Sequence, residues 1–231
     1  DWSAWHAEGV TDTPPYEELE PRFQASILYN GASWKDRTIE SFVGGSDGFC
    51  VWNKEPEPQG RTTTGYYLRK RVDESHDVIN ENGSVQPVTI IRLGEVLLNK
   101  AEACYRLNDA AGANAAVKAI RDRVGLPYQD KAGENLWKAI RQERKVELAY
   151  EGQWYWDLRR WKVAHEQYPT GLNGYQVHGL RIEQQPNGDF VYNYVSVDDK
   201  DRNFPERMYR FPLPSGELSS NAAVSQYPEW K

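Results

Sequence analysis

The sequence predicts a mostly α-helical protein with extensive loops and short β-hairpins. Turn-forming residues crowd the first 87 positions, and apolar residues recur at helical spacing over residues 88–165. Turns and short strand-like runs return over residues 166–231. The middle region begins with a helical hairpin of the tetratricopeptide type, which we expect to pack against the irregular first region.

Residues 1–87 are interpreted as an ordered, loop-dominated segment. Turn signals interrupt strand-like runs at 23–29, 39–43 and 65–70. Large aromatic residues recur throughout the segment, and disordered chains rarely carry so many of them. We therefore expect a folded region and not a flexible linker.

Two helices joined by a short turn are predicted next. The first apolar stripe runs from Ile90 to Leu107, and the second runs from Ala113 to Val124. Gly125 then offers the left-handed conformation that ends many helices. Because the turn between the stripes is short, the two helices must pack antiparallel.

Two further helices are predicted over residues 134–151 and 154–165, with Gly152 as the break between them. Beyond them, the runs 180–183 and 190–194 flank a Pro-Asn-Gly-Asp turn, which predicts a β-hairpin. The run 210–218 contains spaced prolines and is predicted to be extended chain.

Composition excludes several classes of protein. With 231 residues, 39% hydrophobic and 27% charged, the chain can bury a core and is not wholly disordered. No apolar run approaches the ~18 residues of a membrane-spanning helix. A net charge of −6 disfavours nucleic acid as a partner, because contact with phosphates usually needs a basic face.

No metal or cofactor is expected. Two cysteines and four scattered histidines provide neither a disulfide framework nor the ligand spacing of a zinc site. The run Asp199-x-Asp201-x-Asn203 resembles the start of a calcium loop. Phe204 stands where that loop needs glycine and Arg210 where it needs glutamate, so solvated turn acids are the favoured interpretation.

A cluster of charges around Gly152 allows two interpretations. Two acids such as Glu143 and Glu147 could act as the acid and base of a glycosidase. A catalytic acid needs a raised pKa, however, and neighbouring arginines lower it. Structural ion pairs that lock the third and fourth helices together are therefore favoured; their members are Glu143, Arg144, Glu147, Glu151, Asp157 and Arg160.

Aromatic residues in the loops are the candidate ligand contacts. Nine Trp and fourteen Tyr stand against six Phe, and rings with polar edges suit stacking on sugars. The candidate rings are Trp2, Trp5, Trp34, Trp52 and Tyr66, with Asp36, Arg37 and Asn53 as neighbouring hydrogen-bonding groups. The alternative, held about equal for the whole set, is that these rings fasten the loops to the helices.

Several runs resemble the SusD/RagB family, which comprises outer-membrane nutrient-binding lipoproteins of Bacteroidetes-type bacteria. The resemblance lies in IIRLGEVLLNKAEA at 90–103, RDRVGLP at 121–127, ERKVELAYEG at 143–152 and WDLRRW at 156–161. Shorter matches follow the family's order at 21–23, 29–31, 64–67 and 211–218. One departure is Gln153, where the family usually has arginine.

The resemblance implies that the chain is the family's C-terminal half. The N-terminal half, with its lipid-anchored cysteine, would lie upstream. The implied function is non-enzymatic: the protein captures oligosaccharide or peptide nutrients on the outer face of the outer membrane. It then delivers them to a SusC-like, TonB-dependent transporter. The charged signature residues are structural in this family, and ligand contacts come from its variable loops.

Two other functions stay open. A helical glycoside hydrolase that uses Glu143 and Glu147 predicts release of reducing sugar, lost on Glu147→Gln. A helical-repeat scaffold for another protein predicts that the tryptophans of the loops are buried.

Overall fold

The protein is described by a computed structural model that covers residues 2–50, 61–77, 80, 82–169, 176–198, 200 and 202–231. Its architecture confirms the predicted class, mostly helical with long loops and short antiparallel strand pairs. The chain divides into two compact units, Asp1–Gly152 with His178–Val197 and Gln153–Val177 with Asp198–Lys231.

Among its described residues, the loop-rich part of the first unit contains one short α-helix and four two-residue strands. They are α1 (Pro21–Ser26), β1 (Ile27–Leu28), β2 (Ser33–Trp34), β3 (Arg37–Thr38) and β4 (Tyr67–Leu68), and they pair as β1–β4 and β2–β3. The strand predicted over 23–29 is mostly wrong, because proline at the first helical position favours a helix start. The strand predicted over 39–43 is absent, and that over 65–70 is confined to β4.

An aromatic core holds these loops together. Its buried members are Tyr16, Leu28, Tyr29, Ala32 and Ile39. The Tyr16 ring stacks on Tyr29 with a centroid separation of 4.1 Å and on Phe23 at 6.0 Å. The loops therefore form an ordered layer, as the recurrence of aromatic residues predicts.

The helical hairpin of the same unit consists of α2 (Leu93–Arg106) and α3 (Ala110–Arg123). Helix α2 begins three residues later than predicted, since Arg92 is extended and Ile90 is 85% exposed. Helix α3 ends as predicted: Gly125 has φ +71°, and the amide of Leu126 donates to the carbonyl of Arg121.

The third helix, α4 (Gly133–Glu147), packs against α2. It ends four residues before the predicted position, because Tyr150 and Gly152 both have positive φ angles, 63° and 78°. The predicted β-hairpin is confirmed as β5 (His178–Gln184) paired with β6 (Phe190–Ser196).

The second unit contains α5 (Gln153–Arg160), α6 (Ala164–Gln167) and α7 (Ser215–Ser220), together with 3-10 turns at Glu206–Tyr209 and Pro228–Trp230. The sequence predicted one helix over 154–165, but Lys162 takes φ +61° and separates α5 from α6. The buried side chains Leu158, Ala164 and Phe204 form the core of this unit.

Candidate functional site

A buried network of charges surrounds the C-terminal turn of α4, with Glu147 at its centre. The Glu147 carboxylate accepts hydrogen bonds from Arg92 at 2.6 Å, from Arg123 at 2.8 Å and from Arg22 at 2.9 Å. Glu147 is 2% exposed. Both of its oxygens therefore have charged partners inside the protein.

Glu143 lies one turn earlier and shares a partner with Glu147. Arg22 donates to Glu143 at 2.6 Å and so bridges the two carboxylates, while Arg121 donates to the second Glu143 oxygen at 3.0 Å. An open cleft of about 420 Å³, lined in part by Tyr128, adjoins Glu143. The Glu143 carboxylate itself is held by arginine on each oxygen and is buried.

Glu151 completes the network beyond the end of α4. It pairs with Lys70 at 2.7 Å and with Arg92, also at 2.7 Å. The ammonium of Lys70 additionally donates to the backbone carbonyls of Glu147 and Ala149 at 2.9 and 3.0 Å. A cation placed at these terminal carbonyls satisfies acceptors that the helix leaves open and complements its dipole.

The network lowers the pKa values of its carboxyl groups. Burial alone would raise the pKa of Glu147, but hydrogen bonds from Arg92 and Arg22 outweigh it and hold the pKa below its ordinary value. The same balance, with Arg92 and Lys70 as donors, lowers the pKa of Glu151. These acids stay ionised at neutral pH and are poor proton donors.

The partners of the acids come from distant segments, which sequence reasoning did not anticipate. The missed partners are Arg22, Lys70, Arg92, Arg121 and Arg123. A signal existed, because four of these five cations lie inside or at the edge of the short motifs quoted above. The runs that carry these four cations, at 21–23, 90–103 and 121–127, meet the run at 143–152 in the folded first unit.

The three other predicted charged residues also have partners within the protein. Arg144 donates to the side-chain oxygen of Asn99 at 2.7 Å. Asp157 pairs with Arg160, three residues on along the same helix, at 2.9 Å. Asp157 is buried, and this pair belongs to the second compact unit.

Trp34 lies on a tight hairpin in the loop-rich layer. Strands β2 and β3 are joined by Lys35 and Asp36, whose φ angles of 47° and 62° are the positive pair of a type I′ turn. The indole is half-buried, and the Lys35 ammonium and Arg69 guanidinium each lie 5.9 Å from its ring centroid. Asp36 is exposed at the tip.

Arg37 and Tyr66 are already engaged by the protein. Arg37 donates two hydrogen bonds to the carboxylate of Asp47, at 2.6 and 2.7 Å. The Tyr66 hydroxyl lies 3.1 Å from the hydroxyl of Tyr16, and burial raises the pKa of Tyr66. A ligand that bound either side chain through its polar group would therefore have to compete with these contacts within the protein.

Trp2 and Trp5 are half-buried and contact each other at a centroid distance of 5.5 Å. The Trp2 ring also lies 6.0 Å from Tyr16, and the Trp5 indole donates to the backbone of Asp12 at 2.8 Å. Four other predicted residues lie outside the described part of the chain: Trp52, Asn53 and the calcium-loop acids Asp199 and Asp201.

Within the described residues, no three histidine, cysteine or acidic side chains come together in a way that could hold a metal ion. A search of the same residues finds no helix with the length and apolarity needed to cross a bilayer.

Comparison with known proteins identifies the family. A model of the SusD family matches residues 4–230. The chain belongs to the SusD family. A SusD-like protein P2 of Formosa agariphila is 32% identical over 144 residues, which are 57% of this chain and 23% of that protein. The matched part of this SusD-family chain covers under a quarter of that relative's length.

Solved SusD-like structures share the fold of this chain. The crystal structure of a SusD-like protein from Bacteroides fragilis aligns over 92% of this chain and 39% of its own, with a TM-score of 0.69 and 29% identity. A SusD superfamily protein from Bacteroides vulgatus aligns over 99% of this chain and 42% of its own. Its TM-score is 0.54 and its identity 18%, a likeness of fold alone.

Proposed function

We propose that this chain is part of a non-catalytic protein that captures oligosaccharide or peptide nutrients at the bacterial outer membrane. It delivers them to a SusC-like, TonB-dependent transporter and is held at the outer surface by a lipid anchor outside this chain. The observation that carries the proposal is the SusD family match over residues 4–230.

The charge network supports a non-catalytic role. A glycosidase needs one carboxyl group that donates a proton and one that is free to attack or to activate water. Glu147 has a lowered pKa and three arginine partners, and Glu143 has two. The network thus serves to join distant segments, and the hydrolase alternative is disfavoured.

The hairpin that carries Trp34 is the proposed ligand contact of the loop-rich layer. Its indole offers a half-exposed face, and the Asp36 carboxylate at the tip can accept hydrogen bonds from sugar hydroxyls or peptide amides. Trp2 and Trp5 extend the set of half-exposed rings. The scaffold alternative requires buried rings, and none of these three is fully buried.

Calorimetry with a panel of neutral glycans, followed by peptides, tests the proposal. We expect one class to bind and Trp34→Ala to weaken binding by about 1 kcal/mol, the scale of an aromatic contact. Trp156→Ala is the matched control, because that indole is 58% exposed and belongs to the other unit. Equal losses in both variants would argue against the hairpin as the contact.

Copurification tests delivery to the transporter. The full-length native protein, extracted from outer membranes under mild conditions, is expected to bring a large β-barrel with it. If no oligomer of either class binds and no barrel copurifies, the proposed function is wrong. Reducing sugar released by the wild type and lost in Glu147→Gln would instead establish the hydrolase.

A further inference from the structure

An open cleft of about 560 Å³ lies within the second compact unit. Its volume falls in the range of small-molecule sites. The lining residues are Lys162, His165, Glu206, Arg207, Tyr209, Arg210 and Glu229. Three permanent cations and two acids thus face a space large enough for a small ligand.

Hydrogen bonds fix the walls of the cleft. Arg159 donates to the backbone carbonyls of Met208 and Tyr209 at 2.6 and 3.1 Å, which anchors one wall to α5. The Trp230 indole donates to the carbonyl of Arg210 at 2.7 Å, which ties the C-terminal turn to the same wall. The backbone that carries the lining side chains is therefore fixed by hydrogen bonds to the rest of the unit.

Each cation lies over an aromatic ring. The Lys162 ammonium is 4.6 Å from the centroid of Tyr209, and the Arg207 guanidinium is 4.7 Å from that of Trp230. The third cation, Arg210, stands over another tyrosine ring at 4.5 Å. Such stacking orients a cation without neutralising it, so its N–H groups stay available to an anion.

The acids of the cleft do not balance these cations. Glu229 lies 3.6 Å from Arg210 and compensates that one charge. Among the described cations, Glu206 pairs with His165 alone, at 4.0 Å, and its side chain is 80% exposed. Within the described part of the chain, Lys162 and Arg207 form no ion pair, in a protein whose net charge is −6.

We propose that this cleft binds the anionic group of an acidic saccharide, a carboxylate or a sulfate ester. Lys162 and Arg207 are its ligands, and the planar guanidinium can hold two oxygens of the anion at once. The proposal rests on glycan capture as the function, and it narrows the substrate class to acidic glycans. It shares no residue with the hairpin of Trp34.

Calorimetry with matched probes tests the site. The probes are galacturonate oligomers against their methyl esters, and sulfated against unsulfated dextran oligomers, all at low and at moderate salt. The wild-type chain is expected to bind the charged member of at least one pair. Lys162→Gln combined with Arg207→Gln should weaken that binding by about tenfold or more.

Lys100→Gln combined with Lys138→Gln is the matched control. It removes the same total charge from two exposed side chains outside the cleft and should change binding less than about twofold. Glu206→Gln removes an acid from the cleft and should strengthen binding a few fold, which a purely structural role would not predict.

Three outcomes would overturn the site. The first is a loss of affinity in the Lys100→Gln, Lys138→Gln control as large as the loss in Lys162→Gln, Arg207→Gln. The second is that uncharged probes bind as well as charged ones, and the third is an unchanged affinity in Glu206→Gln. Failure here is distinguishable from failure of the proposed function. Neutral glycan binding that depends on Trp34 would survive the loss of the cleft, whereas acidic binding that depends on Arg207 would survive Trp34→Ala.

Discussion

Two charged regions of the molecule differ in how their charges are matched. In the network around α4, Glu147 contacts three arginines, and Arg22 and Arg92 each contact two or more acids. In the cleft of the second unit, Lys162 and Arg207 rest on aromatic rings and have no acidic partner in the described structure. Removing one member of a matched buried pair leaves the other charge uncompensated inside the protein, whereas a cation without an acidic partner can accept an anionic ligand.

The largest expected effect follows from removing the central acid of the network. Glu147→Gln leaves the guanidinium groups of Arg22 and Arg92 partly unmatched in a buried setting, so we expect a loss of about 3–5 kcal/mol in the free energy of unfolding. Urea denaturation followed by tryptophan fluorescence measures it. Glu134→Gln, at an exposed position in the first turn of α4, is the control and should have a small effect. A Glu147→Gln midpoint equal to that of the control would refute the assignment.

A second effect concerns the wall of the cleft. Arg159→Met removes two charge-assisted hydrogen bonds to backbone carbonyls, which should lower the stability of the second unit by about 1.5–3 kcal/mol. Arg159→Lys keeps the charge but loses the fork geometry, and an intermediate loss is expected. Hydrogen exchange of the amides at 206–210 reports the change; equal protection in all three proteins would contradict it.

Acid titration gives a further test of the charge network around α4. Glu147 and Glu151 have folded-state pKa values below their ordinary value of 4.5, so their contribution is present above that pH and is lost as pH falls through the folded values. Each group contributes a slope of at most about 1.4 kcal/mol per pH unit. Unfolding free energy measured from pH 7 to pH 3 should fall less steeply in Glu147→Gln than in the wild type. Parallel curves would show that Glu147 is not linked to folding.

The smallest effect on stability is expected from breaking an exposed ion pair. Lys118 and Asp122 form an exposed pair at 2.6 Å, four residues apart on α3. Lys118→Gln should change the unfolding free energy by less than about 0.5 kcal/mol, because water screens such pairs. The same denaturation experiment measures it. A loss approaching that of Glu147→Gln would mean that burial does not explain the contrast.

The regular elements could be predicted from the sequence because their signals are local. The apolar stripes of α2 and α3, Gly125 at the end of α3, and the turn between β5 and β6 each depend on residues within a few positions of one another. Element ends were predicted less well. They depend on single backbone angles, such as those of Tyr150 and Lys162, that no periodicity encodes.

The charge network could be predicted only in part. The acids stand out on one helix by their spacing, but Arg22 reaches Glu143 across 121 positions of sequence. Pairing at that distance follows from the packing of the whole unit and not from any local pattern. The cations of the cleft gave no sequence signal, because Lys162 and Arg207 come together only through the path of the chain beyond α5.

The turn at the tip of the Trp34 hairpin has a practical consequence for engineering. The left-handed angle costs a residue such as Lys35 about 1 kcal/mol and is better tolerated by Asp36, whereas Asn-Gly adopts the same turn most readily. Exchanging the pair for Asn-Gly should raise the heat tolerance of the protein. The exchange would also remove the ammonium and the carboxylate beside the indole. A more stable turn would therefore lack polar groups that are proposed to contact the ligand.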